Sequence, residues 1–376
     1  MVGENRRKTR TVKIGGFAHV KAVNVGGDSP VVVQTMWKDR LSMSELEGTA
    51  RRIERLGNMG CRVLRFAVPD LDSAETLGRL AGMVSMPLVA DIHFDYRIAL
   101  RCMDFRIAKI RINPGNIGSR EKVGAVLEKA AAGGIPIRIG VNAGSLPRDL
   151  AGKVGQGMDL AEALVEAAQR ELAIFDEFGF VDALVSMKAS GIADTISANR
   201  ILAERTDVPL HVGITEAGPL VAGIARSSAA LAPLLAEGIG DTVRVSLSDS
   251  MENEIIAARE ISNAAAELAS VHGASAERLR QGGVRIVSCP KCGRHGFDTH
   301  GFMDRWLARL YALDSRITIA VMGCEVNGPG EARHADLGIT GVGNKVLIFR
   351  HGTVVRTVLA EDADSAFEDA LMETAF

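Results

Sequence analysis

The fold is decided by the segment Leu88-Val-Ala-Asp-Ile-His-Phe-Asp-Tyr-Arg-Ile-Ala-Leu-Arg-Cys-Met-Asp-Phe-Arg-Ile-Ala-Lys-Ile-Arg-Ile-Asn113. It holds two apolar runs, 88–93 and 109–113, which are too short for helices and are typical of parallel strands buried on both faces. The amphipathic stretch between them has the spacing of a helix. Each run also carries a group able to bind an anion or move a proton near its end, namely His93 in the first and Arg111 with Asn113 in the second. The segment therefore predicts one strand–helix–strand unit with polar or charged side chains near the strand ends.

Units of the same kind extend along most of the chain. Further short runs rich in Val and Ile occur at 31–36, 63–68, 136–142, 183–188, 210–216 and 242–247. Helical segments lie between them, one behind the capping-box sequence Ser42-x-x-Glu45 and another opened by Asp72-x-x-Glu75. Eight such units predict an α/β protein with a (β/α)8 TIM barrel. The alternative, a doubly wound open sheet, lacks the Gly-x-Gly-x-x-Gly that would follow the first strand of a dinucleotide site.

Most of these strands end in a polar or charged side chain. The candidate site residues at these ends are Arg65, His93, Arg111, Asn113, Arg138, Asn142, Lys188, Glu216, Arg244 and Ser246. In a TIM barrel the active site lies at the C-terminal ends of the strands, so we expect these side chains to meet there. Charged groups in apolar strands are costly unless they are paired or bind a ligand. Four arginines at equivalent positions favour a phosphate or diphosphate substrate, because the guanidinium fork matches phosphate oxygens.

The last third of the chain carries a second motif, which is built on cysteine. Cys289-x-x-Cys292 is followed by Gly323-Cys324-Glu-Val-Asn-Gly-Pro-Gly-Glu331. Three thiolates fall short of the four closed ligands of a structural zinc site, although His295 or His300 could complete one. A redox dithiol is another interpretation of a Cys-x-x-Cys pair taken alone. Three cysteines with a carboxylate as fourth ligand instead suit an iron–sulfur cluster that contacts a substrate.

Composition argues against several other functions. The net charge of −2 and the aromatic content of 4% give no indication of nucleic-acid binding. No apolar run is long enough to span a membrane, and the basic N-terminal residues lack the apolar stretch of a secretory signal. Five cysteines in 376 residues do not make a disulfide scaffold, and Cys61 and Cys102 lie in apolar settings typical of buried thiols. The expected compartment is a reducing cytoplasm.

The strand–helix units and the cysteine motif fall in different predicted domains. Residues 1–275 are expected to form the barrel and residues 282–376 a smaller α+β domain, with the Gly-containing stretch 273–283 between them. In the second domain the pattern predicts helices at 302–313 and from about residue 362. It predicts strands at 285–287, 317–322, 337–342, 345–350 and 354–359.

Several long motifs resemble those of one enzyme family. Besides the cysteine motif they include Val33-Gln-Thr-Met36, Val89-Ala-Asp-Ile-His-Phe-Asp-Tyr-Arg-Ile-Ala99, Arg111-Ile-Asn-Pro-Gly-Asn-Ile-Gly118, Lys188-Ala-Ser190 and Gly213-Ile-Thr-Glu-Ala-Gly218. Together they cover the chain nearly end to end. The chain resembles 4-hydroxy-3-methylbut-2-enyl diphosphate synthase, the iron–sulfur enzyme of the penultimate step of the methylerythritol phosphate route to isoprenoids. Its length is similar to that of the two-domain bacterial form.

The resemblance implies a reaction, a cofactor and partners. The barrel would bind 2-C-methyl-D-erythritol 2,4-cyclodiphosphate, and two-electron reductive ring opening and dehydroxylation would yield 4-hydroxy-3-methylbut-2-enyl diphosphate. The second domain, similar to a sulfite-reductase-type module, would hold a [4Fe-4S] cluster through Cys289, Cys292, Cys324 and Glu331. Electrons would come from flavodoxin or ferredoxin. The protein would be a homodimer.

The resemblance also implies roles for individual side chains. Glu216 matches the catalytic acid of the family, and Asn327 matches a polar contact on the cluster side. Glu331 would be a ligand that substrate displaces. The substrate diphosphate contacts would fall on Arg65, His93, Arg111, Asn113, Arg138, Asn142, Lys188, Arg244 and Ser246.

One departure from the family pattern lies after the first strand. The family usually reads Thr-Asn-Thr there, whereas this chain has Trp37-Lys38-Asp39, so the resemblance assigns no contacts to the first loop. Two other functional classes stay open from the residues alone. One is a phosphate-binding lyase that uses Lys188 as a Schiff-base nucleophile and zinc as a brace for the second domain. The other is a non-catalytic iron–sulfur sensor or nucleic-acid-binding module that uses the basic N-terminus.

Overall fold

A computed structural model describes residues 7–271, 276–290, 292–293, 295–313, 315–324 and 326–375. The chain divides into two compact units, Met1–Gln281 and Gly282–Phe376. Within the described residues, no helix combines the length and the apolar character needed to cross a membrane.

The first unit is a barrel of parallel strands preceded by a short hairpin. The hairpin consists of β1 (Val12–Ile14) and β2 (Val23–Val25), which pair antiparallel. The barrel strands are β3 (Val32–Met36), β4 (Val63–Ala67), β5 (Leu88–Asp91), β6 (Lys109–Ile112), β7 (Ile137–Asn142), β8 (Ala183–Lys188), β9 (His211–Val212) and β10 (Thr242–Val243). Among the described residues they form an eight-stranded sheet in the order β8-β7-β6-β5-β4-β3-β10-β9. A parallel bridge between Val185 and Leu210 brings β8 next to β9, which confirms the predicted TIM barrel.

Helices follow the strands in alternation. They are α1 (Leu46–Asn58), α2 (Leu71–Ala81), α3 (Tyr96–Asp104), α4 (Pro114–Ile117), α5 (Arg120–Gly133), α6 (Arg148–Gly155), α7 (Leu160–Glu177), α8 (Ile192–Arg205), α9 (Leu220–Ala236) and α10 (Met251–Val271). Two predicted helix starts were wrong. Ser42 precedes a 3-10 turn and makes no side-chain capping bond, and α1 begins only at Leu46. The cap of α2 is Asp70, whose carboxylate accepts the Ser73 N–H at 2.7 Å.

The last two barrel strands are shorter than their apolar runs predict. Beyond Val212 and Val243 the regular ladder gives way to isolated pairing, such as the parallel bridge between Gly218 and Leu247. The Leu247 N–H donates to the carboxylate of Glu254 at 3.0 Å rather than to a neighbouring strand. Glu216 adopts a left-handed conformation with φ +54°, which no regular strand allows.

The N-terminal hairpin closes the end of the barrel where the strands begin. Val12, Ile14 and Val25 pack against apolar residues at the starts of the barrel strands, among them Val32 and Val63. Basic residues before the hairpin tie the N-terminal segment to the barrel. Arg7 donates to the carbonyls of Thr206 and Val208 at 2.7 Å. Arg10 pairs with the Asp207 carboxylate. These two arginines therefore make structural contacts within the first unit.

The second unit, as far as the structure describes it, combines a mixed sheet with two α-helices. Its strands are β11 (Arg285–Ser288), β12 (Thr318–Val321), β13 (Leu337–Val342), β14 (Lys345–Arg350) and β15 (Thr353–Leu359), and its helices are α11 (Thr299–Tyr311) and α12 (Ala363–Ala375). The first three strands are parallel and the last three antiparallel. Phe302, Trp306 and Phe367 form the aromatic centre of its core, with ring centroids 5.0–5.6 Å apart. The predicted α+β domain is confirmed in type, with α11 beginning three residues earlier than its apolar spacing indicates.

Candidate active site

Three charged side chains share one level of the barrel interior. Asp91 of β5, Arg111 of β6 and Arg138 of β7 are register partners across neighbouring parallel strands. Register partners in a parallel sheet point to the same face, so the three side chains converge inside the barrel near its C-terminal end. The register of β6 and β7 therefore brings together Arg111 and Arg138, two of the candidate site residues predicted from the sequence.

Asp91 links the basic residues at this level. Its carboxylate lies 3.1 Å from Arg111 Nη1, 3.6 Å from Arg65 Nε and 3.6 Å from His93 Nε2. Burial by itself would raise the pKa of Asp91, but Arg65, His93 and Arg111 outweigh it and hold that pKa well below its usual range. Asp91 was missed from the sequence, because a carboxylate inside an apolar run does not reveal which cations surround it.

Arg138 is the most deeply buried of the four arginines, with 1% of its surface exposed. Its Nη1 donates to the Ser186 hydroxyl at 2.6 Å. Within the part of the chain that the structure describes, its Nε and Nη2 have no hydrogen-bond partner. Burial, followed by the charges of Arg65 and Arg111, lowers the pKa of Arg138 well below its usual value. Two buried donors on a cation are thus left for an anionic ligand.

Arg111 occupies its place only because residue 140 is glycine. A Cβ at Gly140 would lie 2.4 Å from Arg111 Nε and 2.6 Å from Nη2, well inside contact distance. The neighbouring strand β7 therefore has a gap that the guanidinium of Arg111 fills.

We expect Gly140→Ala to displace the Arg111 guanidinium from Asp91 and to lower anion affinity on the order of 10-fold or more, because the methyl group would lie 2.4 Å from Nε and clash with it. Calorimetric titration with inorganic pyrophosphate measures the anion affinity. Gly152→Ala is the matched control, since a Cβ there meets nothing within 4 Å. Equal pyrophosphate affinity in both variants would contradict the conclusion that Gly140 makes room for the Arg111 guanidinium.

Lys188 lies at the end of β8 in a similar gap. It is buried, and a Cβ at Gly213 would lie 2.7 Å from its Nζ. Burial, followed by Arg138 and Arg244, lowers the pKa of Lys188 well below its usual value. The amino group thus lies among cations, and a bound anion would raise its pKa again.

Two further buried groups lie one layer deeper, and the sequence reasoning missed both. Lys109 Nζ donates to Gln34 Oε1 at 3.1 Å, and His211 Nδ1 lies 2.6 Å from the Thr242 hydroxyl. Burial first, and then nearby cations including Arg138, lowers the pKa of both groups well below their usual values. Lys109 and His211 are the first residues of β6 and β9, and the sequence does not single them out because only barrel closure surrounds them with cations.

Arg65 and Arg244 lie on either side of β3, the first strand of the barrel. Arg65 Nη2 lies 2.7 Å from Met36 Sδ, and Arg244 Nη1 lies 3.7 Å from the same sulfur. Burial lowers the pKa of Arg65 to about 10, against the opposing effect of Asp91. Arg244 Nη2 also lies 3.5 Å from the Glu254 carboxylate of α10, a residue that the sequence reasoning did not select.

The remaining candidate residues lie closer to solvent. His93 is half exposed, Asn142 and Ser246 are partly exposed, and Asn113 is buried at the start of α4. Glu216 is exposed, and its φ of +54° is strained for a residue with a side chain. The barrel end therefore has a partly exposed polar rim above a largely buried group of positive charges. We call this group the cationic base; its members are Arg65, Arg111, Arg138, Lys188 and Arg244.

The cysteine motif lies at the carboxyl ends of two adjacent parallel strands of the second unit. Cys289 follows β11 and Cys324 comes three residues after β12, while the Cys289 N–H donates to the Val321 carbonyl at 3.0 Å. A Cβ at Gly323 would lie 3.7 Å from Cys289 Sγ, so that thiol faces the backbone just before Cys324. The Gly296 N–H donates to the Gly323 carbonyl at 2.7 Å, which folds the loop carrying Cys292 onto the same edge.

The loop after Cys324 is a π-helical segment, Val326–Glu331. Its entry is fixed by Thr340, whose hydroxyl donates to the Cys324 carbonyl at 2.9 Å, and a Cβ at Gly328 would lie 2.7 Å from Thr340 Cγ2. The side chains of Asn327 and Glu331 lie outside the described residues. Among the side chains that are described, no three His, Cys, Asp or Glu groups already stand at metal-binding spacing.

The donor set nevertheless fits an iron–sulfur cluster. The structure has no disulfide among its five cysteines, and the three motif thiols range from buried Cys324 to exposed Cys292. Soft thiolates at a strand edge, with glycine-containing loops around them, are suited to iron–sulfur ligation. Of the alternative zinc ligands, His295 already places Nδ1 2.7 Å from the Cys292 carbonyl, and His300 is exposed.

Comparison with known proteins decides the family. The description "GcpE TIM-barrel domain" matches residues 9–259, and "GcpE protein C-terminal domain" matches residues 285–373. The chain belongs to the GcpE family.

Curated GcpE relatives cover nearly the whole chain. A protein of Treponema pallidum (strain Nichols) is 51% identical over 98% of this chain and 90% of its own length. One of Treponema denticola is 50% identical over 92% and 91%, and one of Geobacter sulfurreducens is 43% identical over 98% and 97%. All three are named 4-hydroxy-3-methylbut-2-en-1-yl diphosphate synthase (flavodoxin). The family resemblance seen in the motifs is confirmed.

This GcpE protein also has a cavity of about 290 Å³ lined by residues that follow β6 and β7 and by α7. Asn113, Ser145, Arg148 and Glu171 are among its lining residues. Glu171 of α7 is buried, and among the described residues its Oε2 has no partner. Burial raises the pKa of Glu171 to about 7, although the Gly115 N–H partly offsets this.

We expect Glu171→Gln to stabilise the GcpE barrel above pH 7 and to change little below pH 5. The folded pKa of about 7 exceeds the ordinary 4.5, so the stabilising contribution of the proton is complete below 4.5 and is lost as pH rises through 7. The glutamine keeps an acceptor for Gly115 without ionising. Chemical denaturation from pH 5 to 8.5 should show a gain of up to roughly 3 kcal/mol at high pH. A pH-independent difference would contradict the assignment.

Proposed function

We propose that this protein catalyses reductive ring opening and dehydroxylation of 2-C-methyl-D-erythritol 2,4-cyclodiphosphate. The product is 4-hydroxy-3-methylbut-2-enyl diphosphate, a precursor of isoprenoids, and two electrons come from flavodoxin, as the names of the relatives indicate. The observation that carries this proposal is the cationic base of the barrel. Among the described residues, Arg111, Arg138 and Arg244 each keep at least one buried N–H without a partner, and a diphosphate supplies the missing acceptors.

The barrel residues bind and orient the substrate. The side chains assigned to the diphosphate are Arg65, His93, Arg111, Asn113, Arg138, Asn142, Lys188, Arg244 and Ser246. Asp91 positions Arg65 and Arg111 and keeps both guanidinium groups from repelling each other before the anion arrives. Because these groups are already buried and fixed, little reorganisation is needed when substrate binds.

The second unit holds the cofactor. Cys289, Cys292, Cys324 and Glu331 would ligate a [4Fe-4S] cluster, with Asn327 as a polar contact on that side. When bound, the cluster would pass on the electrons that flavodoxin delivers and would supply a Lewis-acidic iron. The carboxylate of Glu331 is the hardest ligand of the set, and it is the one expected to give way to substrate.

The proton for the departing oxygen comes from Glu216. Its exposure and its strained left-handed backbone at the barrel rim are consistent with a carboxyl group presented to substrate. We further assign residues 1–275 to substrate binding and residues 282–376 to the cluster. The protein is proposed to be a homodimer in the cytoplasm, where its ligand thiols stay reduced.

The test is turnover by anaerobically purified protein of known iron and sulfide content. With reduced flavodoxin and the cyclic diphosphate, we expect formation of 4-hydroxy-3-methylbut-2-enyl diphosphate, and a parallel reaction with ferredoxin compares the two donors. In the same assay Glu216→Gln should keep its iron and lose turnover, while Glu331→Cys should keep its iron and turn over slowly. No product from cluster-loaded protein with either donor would overturn the proposal.

A second candidate function is favoured by one observation. The buried Lys188 has a strongly lowered pKa, a property shared by Schiff-base lysines. A lyase of this kind would form an imine with a carbonyl substrate, and borohydride would trap it on Lys188. Trapped lysine in protein that contains zinc and no iron would favour this candidate over reduction.

A further inference from the structure

A buried carboxylate behind the cationic base is shared by two cations. Glu254 of α10 is 1% exposed and accepts the Leu247 N–H at 3.0 Å and the Thr35 hydroxyl. Its Oε1 lies 3.0 Å from Lys38 Nζ and 3.5 Å from Arg244 Nη2. A single negative charge is thus balanced by an ammonium and a guanidinium group.

Lys38 is the closer and the better anchored of these two cations. Besides the carboxylate, its ammonium group donates to the Leu247 carbonyl at 2.7 Å and to the Asp249 carbonyl. Three oxygens match the three donors of a lysine, so its geometry is fixed. Arg244 is held less tightly, because its Nη1 contacts only the Met36 sulfur at 3.7 Å and its Nε has no partner among the described residues.

The loop that carries Lys38 is itself held in place. Trp37 stacks on Phe66 with ring centroids 5.5 Å apart, and the Arg52 guanidinium lies 5.3 Å from the Trp37 ring centroid. Arg52 also pairs with Asp39 at 3.5 Å and with Glu252 at 3.4 Å. The three residues that depart from the family pattern, Trp37, Lys38 and Asp39, therefore act as one structured unit that delivers the ammonium group to Glu254.

We propose that Lys38 is a positioning residue for anion binding: it neutralises Glu254 and so leaves the positive charge of Arg244 available to the substrate diphosphate. This inference rests on the proposed function of the barrel. Without Lys38, Arg244 is the ion-pair partner that remains to this buried carboxylate among the described residues, and it moves onto the carboxylate because an unpaired buried charge is costly. Lys38 also ties down residues 247–249, the segment that follows Ser246.

Lys38→Met removes the ammonium group and keeps an apolar stem of similar length. We expect the dissociation constant of inorganic pyrophosphate, measured by calorimetry on anaerobically purified holoenzyme, to rise on the order of 10-fold. The KM for the cyclic diphosphate should rise in parallel, with kcat changed little. Lys38→Arg should bind within about 3-fold of the parent, since it keeps the charge.

A double variant separates this role from a merely structural one. In Lys38→Met/Glu254→Gln the carboxylate that would capture Arg244 is gone, so pyrophosphate affinity should recover to within about 3-fold of the parent. A Lys38 that only braced the loop would leave the double variant as weak as the single one, which would overturn the inference. Thermal unfolding of each variant identifies loss of fold.

The outcomes also separate this inference from the proposed function. Parent protein that binds pyrophosphate and turns over, while Lys38→Met binds equally well, overturns the role of Lys38 and leaves the function intact. Parent protein that neither binds pyrophosphate nor turns over overturns the function, and the inference with it. Lys153→Met is the control for charge alone, because that lysine is half exposed on α6 and pairs with Glu166 at the surface.

Discussion

Replacing Cys324 with serine is expected to remove bound iron and to bring turnover below detection. Cys324 is buried between β12 and the π-helical segment, and its carbonyl accepts the Thr340 hydroxyl and the Gly328 N–H. The backbone of the ligand is thus fixed before any cluster binds, and a serine hydroxyl at that place is a much poorer iron ligand than a thiolate. Iron and acid-labile sulfide analysis of anaerobic protein, together with the flavodoxin-linked assay, measures both effects.

The matched control for this change is Cys102→Ala. Cys102 is buried in α3, where burial raises the pKa of its thiol to about 12, so it is an inert core residue. Its variant should keep the iron content and the turnover of the parent. If the Cys324 variant retained full iron, the ligand set proposed for the second unit would be wrong.

Replacing Arg138 with methionine is expected to separate stability from function. The arginine is buried with two N–H donors unpartnered among the described residues, so the folded protein bears its desolvation cost. Methionine fills similar space without a charge, and the free energy of unfolding should rise by about 1–3 kcal/mol. The same change removes a buried partner of the diphosphate and should lower kcat/KM roughly 10²- to 10³-fold. Denaturant titration and steady-state kinetics on one preparation measure the two effects.

Arg200→Met is the control for Arg138→Met. Arg200 is half exposed and pairs with Glu237 on the outer surface of the barrel helices, so neither stability nor kcat/KM should change appreciably. An Arg138 variant that was both less stable and normally active would show that the guanidinium group has a structural role.

Much of the barrel could be predicted because its strands are buried on both faces. Such strands appear as apolar runs, and any arginine or lysine inside them stands out against that background. This is why Arg65, Arg111 and Arg138 were found. Asp91 and Glu254 were missed for the opposite reason: one acidic residue at a strand end or in a helix is ordinary until its cationic neighbours are known.

Helix starts and strand ends were the least predictable features. At Ser42 the sequence matches a capping box, yet a 3-10 turn occupies the position and no capping bond forms. β9 and β10 end earlier than their apolar runs predict, at Val212 and Val243. The Glu254 carboxylate, which lies seven residues after Leu247, accepts the Leu247 N–H, while Leu247 keeps an isolated parallel bridge with Gly218.

The sequence by itself determined the fold class, the family and the identity of the residues that carry charge or thiolate. These properties depend on local periodicity and on short motifs, both of which are legible along the chain. Only the tertiary structure decided which charges face one another: that Asp91 lies between Arg65 and Arg111, and that Lys38 and Arg244 share Glu254. The physical reason is that electrostatic interaction depends on distance and burial, and barrel closure brings residues such as Lys38 and Glu254 together across more than two hundred positions of sequence.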